Sequence, residues 1–464
     1  MAGQRNLVRT LGFGYVVIFV IANIIGSGVY KKIAPMAAEL HSSAWVLLAW
    51  LAAGIITIFG ALSNAEVAGM LAGTGGEFVY FKKIYNRFFA FLYGWSLFTV
   101  IQTATIASLA YVFSQSLNSI FTLPEVLTSL EHFTLGGVFF PFQDFNIKSV
   151  AILLIMILTV LNISGLKKGA LTGKIIFWLV MAGLTMIVVF GLMHIKTLPD
   201  NFLNPQDFTN GMVSPTSFFT AMLAAFWAYQ GWVSVGFIGG EVHNPNKNLP
   251  KGIITGVFVV ILIYLLVNVT YMALLSIPAL EQIYVSGNQI AAIEAVRSFW
   301  GQTGVIFISL LILLTTLGCT HASILTGARP HYAMAGEQLF FNSFTRLNKA
   351  NVPAQSLLWQ GIWSSVLVLS GTFDQLTDMI VFAVFIFYGA TALGVFILRI
   401  KMPDLHRPYK VWGYPYIPAF YILFCLLFLA NTLYSRPREA AIGLVLILCG
   451  IPVYLLRRKL FTRK

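Results

Sequence analysis

Long apolar runs alternate along the chain with short polar stretches that are mostly basic. The runs cluster near the length at which an α-helix crosses about 30 Å of hydrocarbon. Twelve spans can be marked: 11–38, 43–70, 88–118, 147–165, 172–194, 216–239, 252–276, 304–327, 353–371, 376–399, 414–434 and 438–456. They predict an all-α polytopic membrane protein with both termini on one side. No soluble domain, linker or low-complexity tract separates them, so one membrane domain is expected over 1–464.

Two runs carry glycine where a helix should be unbroken. Ile24-Ile25-Gly26-Ser27-Gly28-Val29-Tyr30 sits in the middle of the first. Trp227-Ala228-Tyr229-Gln230-Gly231-Trp232 sits in the sixth. Each Gly costs roughly 1 kcal/mol of helix propensity relative to Ala. In hydrocarbon a broken helix also strips backbone N–H and C=O groups of partners, which is tolerated only against protein, a cavity or a solute. Small residues also serve plain helix–helix contact. Two interrupted runs at corresponding places in two halves point further, to the central binding site of a transporter.

Composition agrees. The chain has 464 residues, 58% hydrophobic and 10% charged, outside the soluble globular range. The net charge of +13 does not imply nucleic acid, because the basic residues are dispersed in short loops. Most of the 29 Lys and Arg residues fall on the side of the termini. That side includes Arg5, Arg9, Lys82, Lys83, Arg87, Lys167, Lys168, Lys174, Arg399, Lys401, Arg463 and Lys464. Lys31, Lys32, Lys148, Lys196, Arg297, Arg436 and Arg438 fall on the other. By the positive-inside rule the termini are cytoplasmic. Cys319, Cys425 and Cys449 lie inside spans, so no structural disulfide is expected. The run after Arg5 and Arg9 is too long for a cleavable signal.

The longest outer loops are 119–146, 195–215 and 277–303, and a short helix is expected over Asn288–Arg297. Asn162-Ile163-Ser164 and Asn268-Val269-Thr270 match a glycosylation pattern but fall in or at the inner end of spans, so they read as chance. Enzyme signatures are missing: no H-E-x-x-H, zinc-spaced Cys pair, P-loop or G-x-S-x-G. An enzyme and an ATP-driven pump are therefore not expected, nor is a cofactor or a metal. No filter sequence suggests a channel.

Several motifs together resemble one family. The first break is similar to the IIGSGIF signature of the L-type amino-acid transporters, in the amino acid–polyamine–organocation superfamily. Gly75-Gly76-Glu77-Phe78-Val79-Tyr80 resembles its GGEYVY, followed by Phe91-Leu92-Tyr93-Gly94-Trp95. Trp227 to Trp232 resembles F-A-Y-x-G-W. Glu241 to Pro250, Leu325 to Arg329 and Arg407 to Pro415 continue the match in order. The resemblance implies a LeuT-type fold: inverted five-helix repeats over about 11–194 and 216–399, then trailing helices over 414–456. It implies a secondary amino-acid transporter of a plasma or inner membrane, working by alternating access through exchange or ion-coupled uptake.

The residues suit that chemistry. Gly12 to Tyr30 holds no acidic or basic side chain, so an amino-acid zwitterion would be held there mostly by backbone. N–H groups after Gly26-Ser27-Gly28 suit a carboxylate. Carbonyls near Ile24, Trp227 and Ala228 suit an ammonium. The candidate substrate site is Ile24, Ile25, Gly26, Ser27, Gly28, Trp227, Ala228, Tyr229, Gln230 and Gly231. In the family's terms Trp227 gates the site and Gln230 senses the substrate side chain. The plainer readings are a core aromatic for Trp227 and an interhelical hydrogen bond for Tyr229. Cation-preferring relatives carry Asp at the Gln230 position, so a neutral L-amino acid is expected over a cationic one or a polyamine. A non-transporting sensor is the alternative of another class.

Glu66 and Glu77 are expected to cap or pair with inner-loop bases. Lys31 and Lys32 are expected to snorkel to the outer interface. His321 is a weak candidate proton relay. Many family members place a sodium-replacing Lys in the fifth helix; here Val180 stands there. Thr315, Thr316 and Thr320 are candidates for an ion site, for Na+ or H+ coupling, against the plainer reading that each bonds its own backbone. Animal members with a disulfide-linked heavy subunit carry Cys after the third span. Residues 118–146 contain none, so no such subunit is expected; lipid and the amino acid are the expected partners.

Overall fold

The computed structural model describes residues 11–71, 76–136, 139–165, 169–195 and 213–461. Arg5, Arg9, Gly75, Lys167, Lys168, Lys196, Arg463 and Lys464 lie outside the described residues, as do 196–212 and the Lys174 side chain.

The described chain is almost wholly helical. The first apolar run holds α1 (Phe13–Ile24), α2 (Gly28–Lys31) and α3 (Ile33–Leu40), and the second is α4 (Ser43–Met70). The short α5 (Glu77–Ile84) leads to α6 (Arg87–Ser96), which passes through a wide π turn at Leu97–Ile101 into α7 (Gln102–Ile120). Next come α8 (Phe145–Ile163), α9 (Gly169–Met193) and α10 (Pro215–Tyr229), the last followed by 3-10 turns over Trp232–Glu241. Then follow α11 (Pro245–Leu274), α12 (Ile277–Ser286), α13 (Ala291–Gly336), α14 (Ala354–Ser370) and α15 (Phe373–Lys401). The chain ends with α16 (Tyr416–Ser435), α17 (Pro437–Leu448) and α18 (Gly450–Phe461).

Among the described residues, nine helical elements are long and apolar enough to cross a membrane. They coincide with nine of the runs marked from sequence. The other three are 11–38, 216–239 and 353–371. The first two are interrupted where the glycines stand, and the third is α14, at 17 residues. The 277–303 loop is more helical than expected. It holds α12, and α13 turns at Gly301 (φ 58°, ψ −146°), which sets a short helix ending at Trp300 apart from the span.

Burial runs opposite to that of a water-soluble protein. Leu153, Val160, Trp178 and Leu426 face outward, while Asn268, Thr316, Gln360 and Ser364 are wholly enclosed. With lipid outside, apolar burial gives little drive, and close packing and internal hydrogen bonds hold the helices together. Asn162 and Asn268 are both buried, as expected of chance glycosylation matches.

One helix pair positions everything that follows. On α11, Gly252 and Gly256 stand four residues apart on one face. A Cβ on Gly252 would sit 2.3 Å from the Val16 side chain, and one on Gly256 2.6 Å from that of Val20. This small-residue ridge lets α1 lie directly on α11. Two turns further along the same face comes Tyr264.

At the other end of α4, Glu66 is fully buried and pairs with bases, as its sequence context suggested. Arg399 reaches it through two hydrogen bonds, Nε to Oε1 at 2.9 Å and Nη2 to Oε2 at 2.7 Å. The Val411 N–H adds a third at 2.6 Å, and Arg407 stands 3.8 Å away. Lys31 and Lys32 depart from expectation. Neither snorkels: Lys32 is 1% exposed and bonds Asp374 and Thr377, both at 2.6 Å. Lys31 donates to Gln115 at 2.7 Å and stands 5.0 Å from the Phe373 ring centre. Partners from α7 and α15 within reach make burial cheaper than stretching to the interface. Removing one member of a buried ion pair strands the other. Glu66→Ala should therefore lower stability by about 3–5 kcal/mol, read as an earlier thermal melt of the purified protein in detergent.

Candidate functional site

The two breaks meet. α1 ends with Ile25 in an extended conformation (φ −72°, ψ 96°), and α2 starts at Gly28. Lys32 between α2 and α3 keeps right-handed helical angles, so the pair runs on as one kinked segment. The slack turn follows from Pro35, which has no N–H to give the Lys31 carbonyl. The second break is Gln230 (φ −69°, ψ 154°) and Gly231 (φ 118°). Gly231 is obligatory twice over. Its φ is one that side chains rarely adopt, and a Cβ would stand 2.2 Å from the Asn23 carbonyl oxygen. Gly28 closes the contact from the other side, where a Cβ would meet Ala228 Cα at 2.5 Å.

One hydroxyl ties the breaks together. Tyr264 lies with its OH 3.1 Å from the Ile24 oxygen and 2.9 Å from the Ala228 oxygen. Behind it, Tyr229 donates to the Trp50 carbonyl at 3.2 Å, and the Trp50, Tyr229 and Tyr264 rings pack edge to face or tilted. Across the first break the Trp227 indole N–H donates to Ser27 Oγ at 3.3 Å, with its ring against Phe373.

A cavity of about 1100 Å³ opens from this junction. Its lining takes in Ile24, Ile25, Gly26, Ser27, Gly28, Trp227, Gln230, Gly231 and Thr315. Trp227 and Ser27 are buried at its head, while Ala322, Leu325 and Arg329 are exposed at its other end, so it opens there. Across that mouth Arg329 faces Glu241 at 3.7 Å. Glu241 is itself fixed to the start of α1: the Leu11 N–H donates to its carbonyl, and the His243 N–H donates to that of Leu11.

Four residues marked from sequence lie off the lining. Tyr229 points away, into its hydrogen bond with Trp50, and Ala228 packs against Gly28. Thr316 and Thr320 are fully buried and bond carbonyls one turn back on their own helix, at 2.7 and 2.6 Å. Thr315 does the same at 2.7 Å but also meets the Tyr30 hydroxyl at 3.3 Å. His321 and Val180 line the cavity, the latter with no charge to offer. The carbonyls of Ile24 and Ala228 are not simply free, since both face the Tyr264 hydroxyl. Among the described residues, the side-chain donor to Ile25 O is the Cys319 thiol, at 3.7 Å.

Three contributors were not marked from sequence. Tyr264 was legible as the residue two turns beyond the Gly252–Gly256 ridge. Gln102 and Thr105 on α7 carry no such signal; only the packing of α7 brings them to the cavity. Glu77 was expected to cap or to pair with inner-loop bases. Instead it accepts hydrogen bonds from Tyr93 at 2.6 Å, Thr391 at 3.2 Å and Asn64 at 3.4 Å, and it touches the cavity. The three cysteines are free thiols.

Comparison with known proteins agrees with this architecture. A family model described as amino acid permease matches residues 11–454. The serine/threonine exchanger SteT of Bacillus subtilis (strain 168) is 29% identical over 458 residues, covering 97% of each chain. The b(0,+)-type amino acid transporter 1 of Mus musculus is 26% identical, over 97% of this chain and 88% of its own. The large neutral amino acids transporter small subunit 2 of Homo sapiens is 27% identical, over 94% and 78%. Matched by one model over nearly its whole length, the chain belongs to the amino acid permease family, whose members are membrane transporters and not enzymes.

Proposed function

We propose that this protein moves neutral L-amino acids across a cell membrane by alternating access, as an exchanger. The observation that carries the reading is the junction of two broken helices at the head of a cavity, with no charged side chain between Gly12 and Tyr30. An intramembrane charge costs roughly 2.5–3.5 kcal/mol on insertion scales, and backbone groups avoid that cost. Backbone N–H groups of Gly26 to Gly28 receive the carboxylate. The Ile25 carbonyl, with the Ile24 oxygen it shares with Tyr264, receives the ammonium. Gln230, whose Oε1 is buried without a hydrogen-bond partner among the described residues, reads the substrate side chain. Trp227 closes over the site, and Lys32–Asp374 lies beyond it.

The wider reading is twelve spans in one domain, two inverted five-helix repeats and two trailing helices. Both termini are cytoplasmic, so the cavity faces the cytoplasm. The name of the Bacillus relative supports exchange and a small neutral substrate. With no Cys in residues 118–146, a disulfide-linked heavy subunit is not part of this reading. Coupling to Na+ through Thr316 and Thr320 finds little support in their orientation.

Uptake of a labelled amino-acid panel into proteoliposomes tests the reading. Uptake should require amino acid inside, favour neutral substrates and ignore sodium. Accumulation into an empty lumen under a sodium gradient would sink the exchanger. Gln230→Asp should raise uptake of Lys and Arg relative to neutral amino acids by about tenfold or more, the scale of one new charge-assisted contact. An unchanged profile would show that this position does not read the side chain. Gly26 has room for a side chain, its nearest neighbour being Leu109 at 3.7 Å, whereas Gly28 has none. Gly26→Leu should therefore fold and lose substrate binding, measured by substrate-induced thermal stabilisation. Wild-type stabilisation in that variant would move the site elsewhere.

A further inference from the structure

Glu77 lies on α5, the short helix between two spans, and is 3% exposed. Its donors come from three other elements: Asn64 on α4, Tyr93 on α6 and Thr391 on α15. Among the described residues no lysine, arginine or histidine pairs with it. The ionisable groups that bear on it are Tyr80 on its own helix, Tyr93 on α6, Tyr388 on α15 and Tyr421 on α16. Glu66, the carboxylate on α4, is already held by Arg399. Glu77, Tyr93 and Tyr388 all line the cavity, so water entering at the Arg329 end has a route to the carboxyl.

The surroundings fit both protonation states. The Thr391 hydroxyl has two acceptors, Glu77 Oε1 at 3.2 Å and its own Phe387 carbonyl at 3.1 Å. With the carboxylate charged, Thr391 donates to Oε1. With the acid neutral, its O–H donates to Thr391 Oγ1, whose own proton turns to Phe387. No side chain has to move, and the protons of Glu77 and Thr391 each keep an acceptor in both states.

We propose that Glu77 is a proton-binding site reached from the cavity, and that its titration couples proton concentration to movement of the spans it joins. The proton comes from cavity water, binds the carboxylate to give the acid, and leaves by the same route. Burial pushes the carboxyl up to about 7, against the Tyr93 and Thr391 hydrogen bonds, which favour the charged form. Hydrogen bonds to a carboxylate are roughly twice as strong as those to the neutral acid. Ionised Glu77 therefore clamps α4, α6 and α15 together, and protonation loosens them. Its effect on transport rests on the amino-acid reading above; the proton site itself does not.

Infrared difference spectroscopy of the reconstituted full chain tests the site without any substrate. A protonated-carboxyl band should vanish as pH rises through about 7 and be absent in Glu77→Gln. Tyr93→Phe removes a donor to the carboxylate and should move the midpoint up, which keeps a readout if Glu77→Gln fails to fold. In proteoliposomes, wild-type exchange should slow as pH rises through that range, and Glu77→Gln should be flat and fast. The proposal is overturned by a band untouched by Glu77→Gln, by loss of the band only in the ordinary carboxylate range, or by sodium displacing it at fixed pH. A band that behaves as stated in a protein that moves no amino acid would keep the site and refute the transport reading alone.

Discussion

The constraint from which the rest follows is that backbone polar groups in a lipid-embedded protein must find partners inside it. Two helices break here, at Ile25–Ser27 and at Gln230–Gly231, and each break frees carbonyls at once. The Tyr264 hydroxyl stands between the freed oxygens of Ile24 and Ala228 and serves both. It can do so only because the breaks touch. Gly28 fits against Ala228 and Gly231 against the Asn23 carbonyl, each leaving no space for a Cβ. It can do so only because α11 lies flush on α1, which Gly252 and Gly256 allow. Glycine thus acts in three ways: as ridge, as helix breaker and as contact.

That junction divides two different environments. Toward Lys31 and Lys32 the packing is closed and charged, with Asp374, Thr377 and Gln115 satisfying each ammonium. Toward Arg329 it is hollow and sparsely charged. Trp227 stands at the boundary, held to Ser27 across the first break. A solute entering the cavity meets Glu241 and Arg329 at the mouth, then mostly apolar walls that Glu77 and His321 interrupt, then the broken helices. At the broken helices themselves, where no charged side chain lies between Gly12 and Tyr30, the electrostatic work is left to backbone dipoles.

Much of this was legible in the sequence. Helix positions follow from apolar run length, and the breaks from glycines in runs where a helix interior would exclude them. The same reading failed where only three-dimensional proximity decides. Lys31 and Lys32 were read from the chain's own neighbourhood, in which the cheapest course for an ammonium is to reach outward; Asp374 is more than three hundred residues away. Thr316 and Thr320 were marked by residue type, yet helical phase turns them from the cavity, while Thr315, one position earlier, faces it. Tyr229 beside Gln230 shows the same: adjacent residues at a helix end point to different sides.

Glu66 and Glu77 make the last point most clearly. Glu66, near the C-terminal end of α4, and Glu77, at the start of α5, sit near each other in sequence and were expected to behave alike. Glu66 meets two arginines and a backbone N–H, a set that is costly to break. Among the described residues Glu77 meets neutral donors alone, one of which can reverse its role by turning a hydroxyl. A fixed ion pair resists motion; a carboxyl poised between two hydrogen-bond patterns permits it at small cost. The first arrangement suits a joint between α4 and α15 that must hold in every conformation. The second suits a joint whose strength has to change while the protein works.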